Sequence, residues 1–185
     1  MDKPPTIYTI GHSTHGLPVF TAMLTSFGVE MFVDVRAFPR SRATPQFNQD
    51  TLAPALRESG IEYRHMAALG GRRPKAKFQT DNVLWRNASF RNYADYATTP
   101  EFHAGLQELL ALAADKTCAI MCAEAVWWRC HRRIIADYLI AAGCPVLHIM
   151  AEGKAEEAEL TKGAVIASPR LVSYRGDQGI LALDA

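Results

Sequence analysis

The chain has 185 residues, of which 49% are hydrophobic and 21% are charged, and its formal net charge is +1. This length suits one domain whose hydrophobic core needs no disulfide or metal to hold it together, and the composition is typical of a globular protein. No apolar run reaches the length of a membrane span, and the first residues lack the apolar stretch of a signal peptide. We therefore expect a cytoplasmic protein with no membrane partner.

Strand and helix patterns alternate along the first 150 residues. Short apolar runs typical of buried strands cover residues 6–10, 31–35, 61–65, 117–122 and 145–150. Apolar residues at helical spacing, bounded by glycine or capping residues, predict helices over residues 17–27, 50–59, 99–114 and 131–142. Five strands separated by helices predict an α/β fold with three layers, in which helices cover both faces of a mostly parallel five-stranded sheet.

The pattern weakens after residue 150. We expect a single α/β domain over residues 1–185, with its core in residues 6–150 and a peripheral C-terminal extension in residues 151–185. The extension is predicted to add a helix and an edge strand near residues 170–174.

Polar residues end or follow most of the predicted strands. The C-terminal ends of parallel strands share one edge of a sheet, where α/β proteins place their ligand sites. The usual strand orders bring the first and fourth strands together, with a crevice between the loops that follow them. The residues at this edge are Gly11, His12, Ser13, Asp34, Arg36, His65, Cys122 and Glu124, with His148 inside the fifth strand.

Two of these strand ends have alternative interpretations. Gly11 permits a tight turn and the close approach of a ligand, and His12 beside it is either a catalytic residue or a hydrogen-bonded structural histidine. Asp34 and Arg36 lie on the same face of the second strand. They form an ion pair there, or Arg36 reaches a bound anion.

Cationic side chains crowd the start of the helix that follows Cys130. His131, Arg132 and Arg133 lie in its first turn, where the helix dipole is positive and disfavours cations. A bound anion would reverse this effect, because backbone N–H groups and guanidinium groups would converge on it. The alternative is that the arginines pair with acidic side chains such as Glu124, or with solvent.

The four cysteines do not suggest a disulfide framework, and reduced thiols are expected. Cys118 and Cys144 are assigned to the core, whereas Cys122 and Cys130 have three possible roles. Cys122 ends a strand beside the cationic helix start, which lowers a thiol pKa and favours a nucleophile with His131 or His12 as its base. Cys122, Cys130 and His131 could instead bind a metal, but a spacing of eight residues without a C-x-x-C pair is a weak sign of zinc, and no metal site is predicted. In the third role both cysteines are packing residues or line the substrate site.

The charges are distributed unevenly. Residues 36–91 carry eleven basic residues against four acidic ones, whereas residues 152–159 carry four acidic residues against Lys154 alone. The basic part favours an anionic partner, although surface charge that serves solubility explains it equally. Within it, residues 69–96 form a long irregular segment that includes Arg72 and Tyr93. Such segments usually form lids or binding surfaces, so this one either binds a base and a phosphate or packs its aromatic residues inward.

Five short motifs, taken in chain order, resemble the signature of a prokaryotic family known as domain of unknown function 488. They are Thr9–Ser13, Asp34–Arg36 with Pro39 and Ser41, Leu69–Gly71, Phe90–Tyr93, and Cys122–Glu124 with Cys130–Arg132. The resemblance covers residues 6 to about 150 and, more weakly, residues 160–174. It implies a single α/β domain and one constellation of motif residues, but it implies no activity.

Together these features predict a small enzyme that binds an anionic ligand, such as a nucleotide, a sugar phosphate or a nucleic-acid component, at the C-terminal edge of the sheet. The alternative is a non-catalytic protein that binds nucleic acid or senses metals or oxidants through Cys122 and Cys130. The predicted catalytic residues are Glu124 and His12, which would transfer protons, and Cys122, which would be a nucleophile or part of the wall. The predicted ligand-binding residues are Gly11, Ser13, Asp34, Arg36, Arg72, Tyr93, Cys130, His131 and Arg132. The sequence does not indicate a reaction, a cofactor or an oligomeric state.

Overall fold

The computed structural model describes residues 4–78 and 80–176. Its strands are β1 (Ile7–Gly11), β2 (Met31–Asp34), β3 (Glu62–His65), β4 (Cys118–Cys122), β5 (Val146–Ala151), β6 (Lys154–Glu157), β7 (Val165–Ser168) and β8 (Leu171–Ser173). Its α-helices are α1 (Leu17–Thr25), α2 (Gln49–Glu58), α3 (Ala88–Tyr96), α4 (Pro100–Asp115) and α5 (Arg132–Ala141). None of the helices in these residues is both long and apolar enough to span a membrane.

Strands β1 to β6 form one sheet in the order β3-β2-β4-β1-β5-β6. The first five of these in the chain are parallel, and β6 pairs with β5 in the antiparallel direction. The predicted α/β class and its mostly parallel sheet are therefore confirmed. The predicted neighbours β1 and β4 are also confirmed, with Gly11 in register with Cys122 at their C-terminal ends.

Side chains of the central strands alternate between two buried faces. Along β2, Met31 and Val33 pack in one core while Phe32 packs in the other. The first core also holds residues of α3, α4 and α5, and the second holds residues of α1 and α2. Burial on both faces explains why these strands are continuous apolar runs in the sequence. Cys122 belongs to the first core, so its side chain lies on the same face as α5.

The predicted C-terminal helix is wrong for the part of residues 151–185 that the structure describes. A two-residue turn at Glu152 and Gly153, with Gly153 at φ 65°, folds β6 back onto β5 as a hairpin. Strand β8 falls where an edge strand was predicted, but it pairs with β7 in a separate two-stranded sheet. Residues 177–185 lie outside the described residues.

The β7–β8 sheet and the segment before it dock onto α5 through buried polar contacts. The Asp137 carboxylate, fully buried, accepts hydrogen bonds from the Thr161 backbone N–H (2.8 Å) and the Tyr174 hydroxyl (2.7 Å). The Tyr138 hydroxyl donates to the Val172 carbonyl oxygen (3.3 Å). These contacts fix the C-terminal segment against the helix whose first turn forms part of the site below.

The segment predicted to be irregular contains helix α3. Asn87 caps this helix, because its side-chain oxygen accepts hydrogen bonds from the backbone N–H groups of Ser89 and Phe90. Trp85 and Tyr93 are both fully buried. Trp85, Phe90 and Tyr93 therefore pack inward, which was one of the two alternatives, whereas Phe78 of the same segment is exposed.

Candidate functional site

A cleft of about 430 Å³ opens at the C-terminal ends of β1, β2 and β4. Seven of the twelve predicted site residues line it: His12, Arg36, Arg72, Cys122, Glu124, Cys130 and His131. The other five do not line the cleft but each contacts a residue that does: Gly11, Ser13, Asp34, Tyr93 and Arg132. The structure thus brings the twelve residues together, and the function of each remains a prediction.

The loops after β1 and β4 stay paired beyond the ends of their strands. The Ser13 backbone N–H donates to the Ala123 carbonyl oxygen (3.0 Å), and Ser13 has a positive φ of 46°. A Cβ atom at Gly11 would lie only 1.9 Å from the Glu124 carbonyl oxygen. Only glycine therefore lets the loop after Cys122 approach β1 this closely, and this contact sets one wall of the cleft.

Cys122, Cys130 and His131 form a compact cluster in the cleft. The His131 Nδ1 atom lies 3.6 Å from the Cys122 Sγ atom and 3.5 Å from the Cys130 Sγ atom. The His131 Nε2 atom lies 2.9 Å from the Val35 carbonyl oxygen. Because a carbonyl oxygen only accepts hydrogen bonds, Nε2 carries a proton and Nδ1 is the nitrogen that faces the two sulfurs.

The two thiols have opposite pKa shifts. The hydrogen bond to Cys130, together with burial, raises the pKa of Cys122 well above its usual value. Burial also disfavours ionisation of Cys130, but the hydrogen bond with Cys122 and the charges of His131 and Arg132 outweigh it and lower the pKa of Cys130 well below its usual value. The expectation of a lowered pKa at Cys122 is therefore wrong, because the hydrogen bond to Cys130 and burial outweigh the effect of the Arg132 charge on this thiol.

Arg132 is buried, and its guanidinium donates to protein acceptors. Its Nε atom and its backbone N–H approach the Cys130 Sγ atom at 3.3 and 3.4 Å. Its terminal nitrogens donate to the Thr9 hydroxyl (3.4 Å) and the Glu124 carbonyl oxygen (2.7 Å). The sulfur of Cys130 therefore occupies the position at the start of α5 where the sequence suggested an external anion.

Arg36 forms the ion pair that was one of its two predicted alternatives. Its Nη2 atom lies 2.6 Å from the Asp34 carboxylate and also donates to the Phe47 carbonyl oxygen (2.7 Å). Burial disfavours the charge on Arg36, but the hydrogen bonds that its guanidinium donates to Asp34 raise its pKa overall. The Tyr63 hydroxyl donates to the same carboxylate (2.7 Å), and His65 Nε2 donates to the Arg36 carbonyl oxygen (2.8 Å). This network holds the end of β2 beside the cleft.

His12 is 3% exposed and offers an unpaired nitrogen. Its ring stacks on Phe47 at a centroid distance of 4.3 Å, and its Nδ1 atom donates to the Ser13 carbonyl oxygen (2.8 Å). Its Nε2 atom is buried and has no hydrogen-bond partner among the residues that the structure describes. Burial lowers the pKa of His12, so the ring is neutral and Nε2 carries a lone pair.

Exposed charged side chains surround the mouth of the cleft. They are Glu124 and three arginines, Arg40, Arg72 and Arg129. Arg40 pairs with Asp50 (2.7 Å) on the surface. The Arg72 guanidinium lies 5.7 Å from the ring centroid of Phe38, an exposed aromatic residue that also lines the cleft.

Several residues of the cleft were not assigned a role from the sequence. A Cβ atom at Gly71 would lie 2.4 Å from the His131 Nδ1 atom and 2.7 Å from its Cε1 atom, so only glycine lets the backbone pack this closely on the His131 ring. Gly71 belongs to one of the five motifs, and this is the sequence signal that could have identified it as a residue of the cleft. Arg40, Phe38 and Arg129 carried no such signal, because only the folded loops bring them to the cleft.

A family model described as a domain of unknown function, DUF488, matches residues 17–139. This range is about two thirds of the chain and contains β2, β4 and the first turn of α5. The chain belongs to this family. No match was found among curated proteins or among solved structures.

Membership in this family confirms the resemblance that the five motifs suggested. The matched range includes Gly71, Cys122, Cys130 and His131, whereas the His12 loop precedes it. The family description names no activity, so the chemistry of the cleft has to be argued from its residues.

Proposed function

We propose that this protein is an enzyme that binds an anionic ligand in the cleft and transfers a proton to or from it. The observation that supports this most is the buried His12 Nε2 atom, which has no partner among the described residues although its residue lines an open, cation-rimmed cleft. A buried polar atom without a partner costs about 1–3 kcal/mol, and a ligand that forms a hydrogen bond with Nε2 would remove this cost.

The rim of the cleft supports the anionic character of the ligand. Arg72 and Arg129 are exposed and line the cleft, so both are able to reach a phosphate or carboxylate group with charge-assisted hydrogen bonds. Arg36 is committed to Asp34 and is better suited to shape the site than to bind the ligand directly. The exposed Phe38 ring beneath Arg72 offers a surface on which a base can stack, which favours a nucleotide or a nucleic-acid component among the anionic ligands.

Proton transfer is assigned to His12 and Glu124. His12 is neutral and presents a lone pair, as a general base requires. Glu124 is exposed on the loop after β4 and lines the same cleft, which suits a second acid or base. Cys122, whose pKa is raised, is a wall of the cleft in this proposal. The four free thiols suit a reducing compartment, and we place the protein in the cytoplasm.

Binding and chemistry are tested separately. The probes are inorganic phosphate, a mixture of nucleoside monophosphates and a mixture of sugar phosphates, with affinity measured by calorimetry. Arg72→Ala and Arg129→Ala should each weaken binding of the probe that binds best by about tenfold or more, the value of one charge-assisted hydrogen bond. Arg57→Ala, an exposed arginine on α2 that does not line the cleft, is the matched control and should bind normally.

His12→Gln and Glu124→Gln test the chemistry. Each should retain the affinity of the nucleoside monophosphate or sugar phosphate within a few fold while abolishing its turnover, followed as release of phosphate or base by hydrolysis with water. Binding that depends equally on Arg57, or tight binding without turnover in the wild-type protein, would contradict an enzyme acting in this cleft. Binding of oligonucleotides alone, with a steep dependence on salt, would identify the alternative nucleic-acid-binding module.

A further inference from the structure

The geometry points to a binding site for Zn²⁺ or a chemically similar divalent ion, formed by Cys122, Cys130 and His131 at the wall of the cleft. No metal site was predicted from the sequence, because the two cysteines are eight residues apart and form no C-x-x-C pair. In the folded chain the turn Trp127–Arg129 returns the loop to the sheet, so that the end of β4 meets the start of α5. The three side chains thereby place their ligand atoms within 4.8 Å of one another.

The distances within the cluster match tetrahedral coordination. Zinc binds sulfur at about 2.3 Å and imidazole nitrogen at about 2.0 Å, which separates a sulfur from a nitrogen ligand by about 3.5 Å in a tetrahedron. The Nδ1 atom of His131 lies 3.6 Å from the Cys122 sulfur and 3.5 Å from the Cys130 sulfur. The two sulfur–nitrogen distances are therefore those of a tetrahedral site, and the two sulfurs lie within 4.8 Å of each other.

The surroundings of His131 present the correct nitrogen to a metal. Its Nε2–H group donates to the Val35 carbonyl oxygen, so Nδ1 faces the two sulfurs and is the nitrogen that a metal ion would bind in place of a proton. Metal-bound histidines are held in this way, with the second ring nitrogen donating to a carbonyl or carboxylate oxygen. Tyr93 packs edge-on against the ring at a centroid distance of 4.9 Å, and the backbone of Gly71 packs so closely on the ring that a Cβ atom there would lie 2.4–2.8 Å from Nδ1, Cε1 and Cγ.

The sulfur of Cys130 also has the hydrogen bonds that support a thiolate ligand. Two N–H donors of Arg132 approach it at 3.3 and 3.4 Å. Two thiolates balance the charge of a divalent ion, so the occupied site adds little net charge to the wall. Thiolate and imidazole ligands select zinc-class ions over magnesium and calcium, which prefer oxygen.

The site has an open position. Among the described residues no fourth histidine, cysteine or carboxylate joins the three ligands within the same distance. All three ligand residues line the cleft, so the remaining coordination position faces it. Three protein ligands with one open position are the arrangement of catalytic zinc rather than structural zinc. This inference stands whether or not the proposed enzyme activity is confirmed.

The test uses the full chain, purified without chelator and loaded with Zn²⁺ or Co²⁺. We expect one equivalent of zinc by elemental analysis, and sulfur-to-cobalt charge-transfer bands in the visible and near-ultraviolet spectrum of the cobalt form. Cys122→Ser and His131→Ala should each weaken zinc binding by more than about 100-fold, the upper end of the loss that a change in the second shell produces. Cys144→Ala removes a buried cysteine outside the cluster and should bind zinc normally.

Two further measurements do not depend on removing a ligand. Gly71→Ala retains all three ligands, but its methyl group would clash with the His131 ring and displace Nδ1 from the two sulfurs. It should weaken zinc binding at least tenfold while circular dichroism stays unchanged. In the wild-type protein, one equivalent of zinc should slow alkylation of Cys122 and Cys130 at least tenfold, and a chelator should restore it. A wild-type protein that binds neither ion and whose two cysteines alkylate at the same rate with and without zinc would overturn the site. So would zinc binding that Cys144→Ala abolishes while Cys122→Ser does not.

Discussion

The buried carboxyl group of Asp137 should make the stability of the fold depend on pH. Burial raises its pKa from 3.8 to about 6. The folded state holds this proton more tightly than the unfolded chain does. The contribution of the carboxyl group to the free energy of unfolding is therefore fully present below pH 3.8. That contribution is lost as the pH rises through about 6. A difference of about two pKa units corresponds to roughly 3 kcal/mol in the free energy of unfolding.

Asp137→Asn isolates this effect, because the amide has the same shape and no charge. Its oxygen is able to accept the hydrogen bond from the Thr161 N–H, and the amide still lies beside the Tyr174 hydroxyl. Urea denaturation of both proteins between about pH 4 and pH 7 gives the difference in their free energies of unfolding. We expect this difference to shift in favour of the variant by about 3 kcal/mol as the pH rises across this range. The other titrating groups contribute equally in both proteins and cancel in this difference. A difference that stays constant with pH would therefore refute the reasoning.

Three further substitutions test contacts of the site and its supports. Gly11→Ala should destabilise the fold by about 1–3 kcal/mol in urea, because the new methyl group meets the Glu124 carbonyl oxygen; an unchanged midpoint would mean that the loop moves freely. Burial lowers the pKa of His148 to about 3, so its stabilising contribution is present above pH 6.5 and is lost as the pH falls. His148→Gln should therefore lose less stability than the wild type between about pH 6.5 and pH 4, and equal losses would contradict this assignment. Tyr93→Phe leaves the buried Leu69 carbonyl oxygen without its hydroxyl donor, which should cost about 1–3 kcal/mol in thermal or urea unfolding; a cost below about 0.5 kcal/mol would show that water replaces the donor.

The parallel sheet was predictable because its strands are buried on both faces. Met31, Phe32 and Val33 are all apolar for this reason, and such a run indicates a buried strand without any knowledge of its partners. The meeting of Gly11 and Cys122 also followed, since fold class restricts strand order. By contrast, the end of the chain was predicted poorly, because the pairing of β6 depends on one turn at Gly153 rather than on a long periodic pattern.

The sequence indicated which residues gather at this edge of the sheet, but it did not indicate how their side chains contact one another. Cys122 and Cys130 were both identified from the sequence. Which of the two sulfurs accepts a hydrogen bond from the Arg132 guanidinium depends on the direction of that side chain, and the sequence does not specify this direction. The orientation of His131 likewise depends on the Val35 carbonyl oxygen, which is 96 residues away in the chain. Long-range contacts of this kind leave no periodic signal.

The two outer strands of the sheet bear on how the protein behaves at high concentration. An outer strand presents unpaired backbone groups to which another chain can add, and charged residues on it oppose that addition. Strand β6 is rich in charge, with Lys154, Glu156 and Glu157 in its four residues. Strand β3 at the opposite side carries Glu62 and Arg64, which form ion pairs with neighbouring α4 and the residue after it. Growth of fibres by addition of a strand to either outer strand of the six-stranded sheet is therefore opposed by these charges.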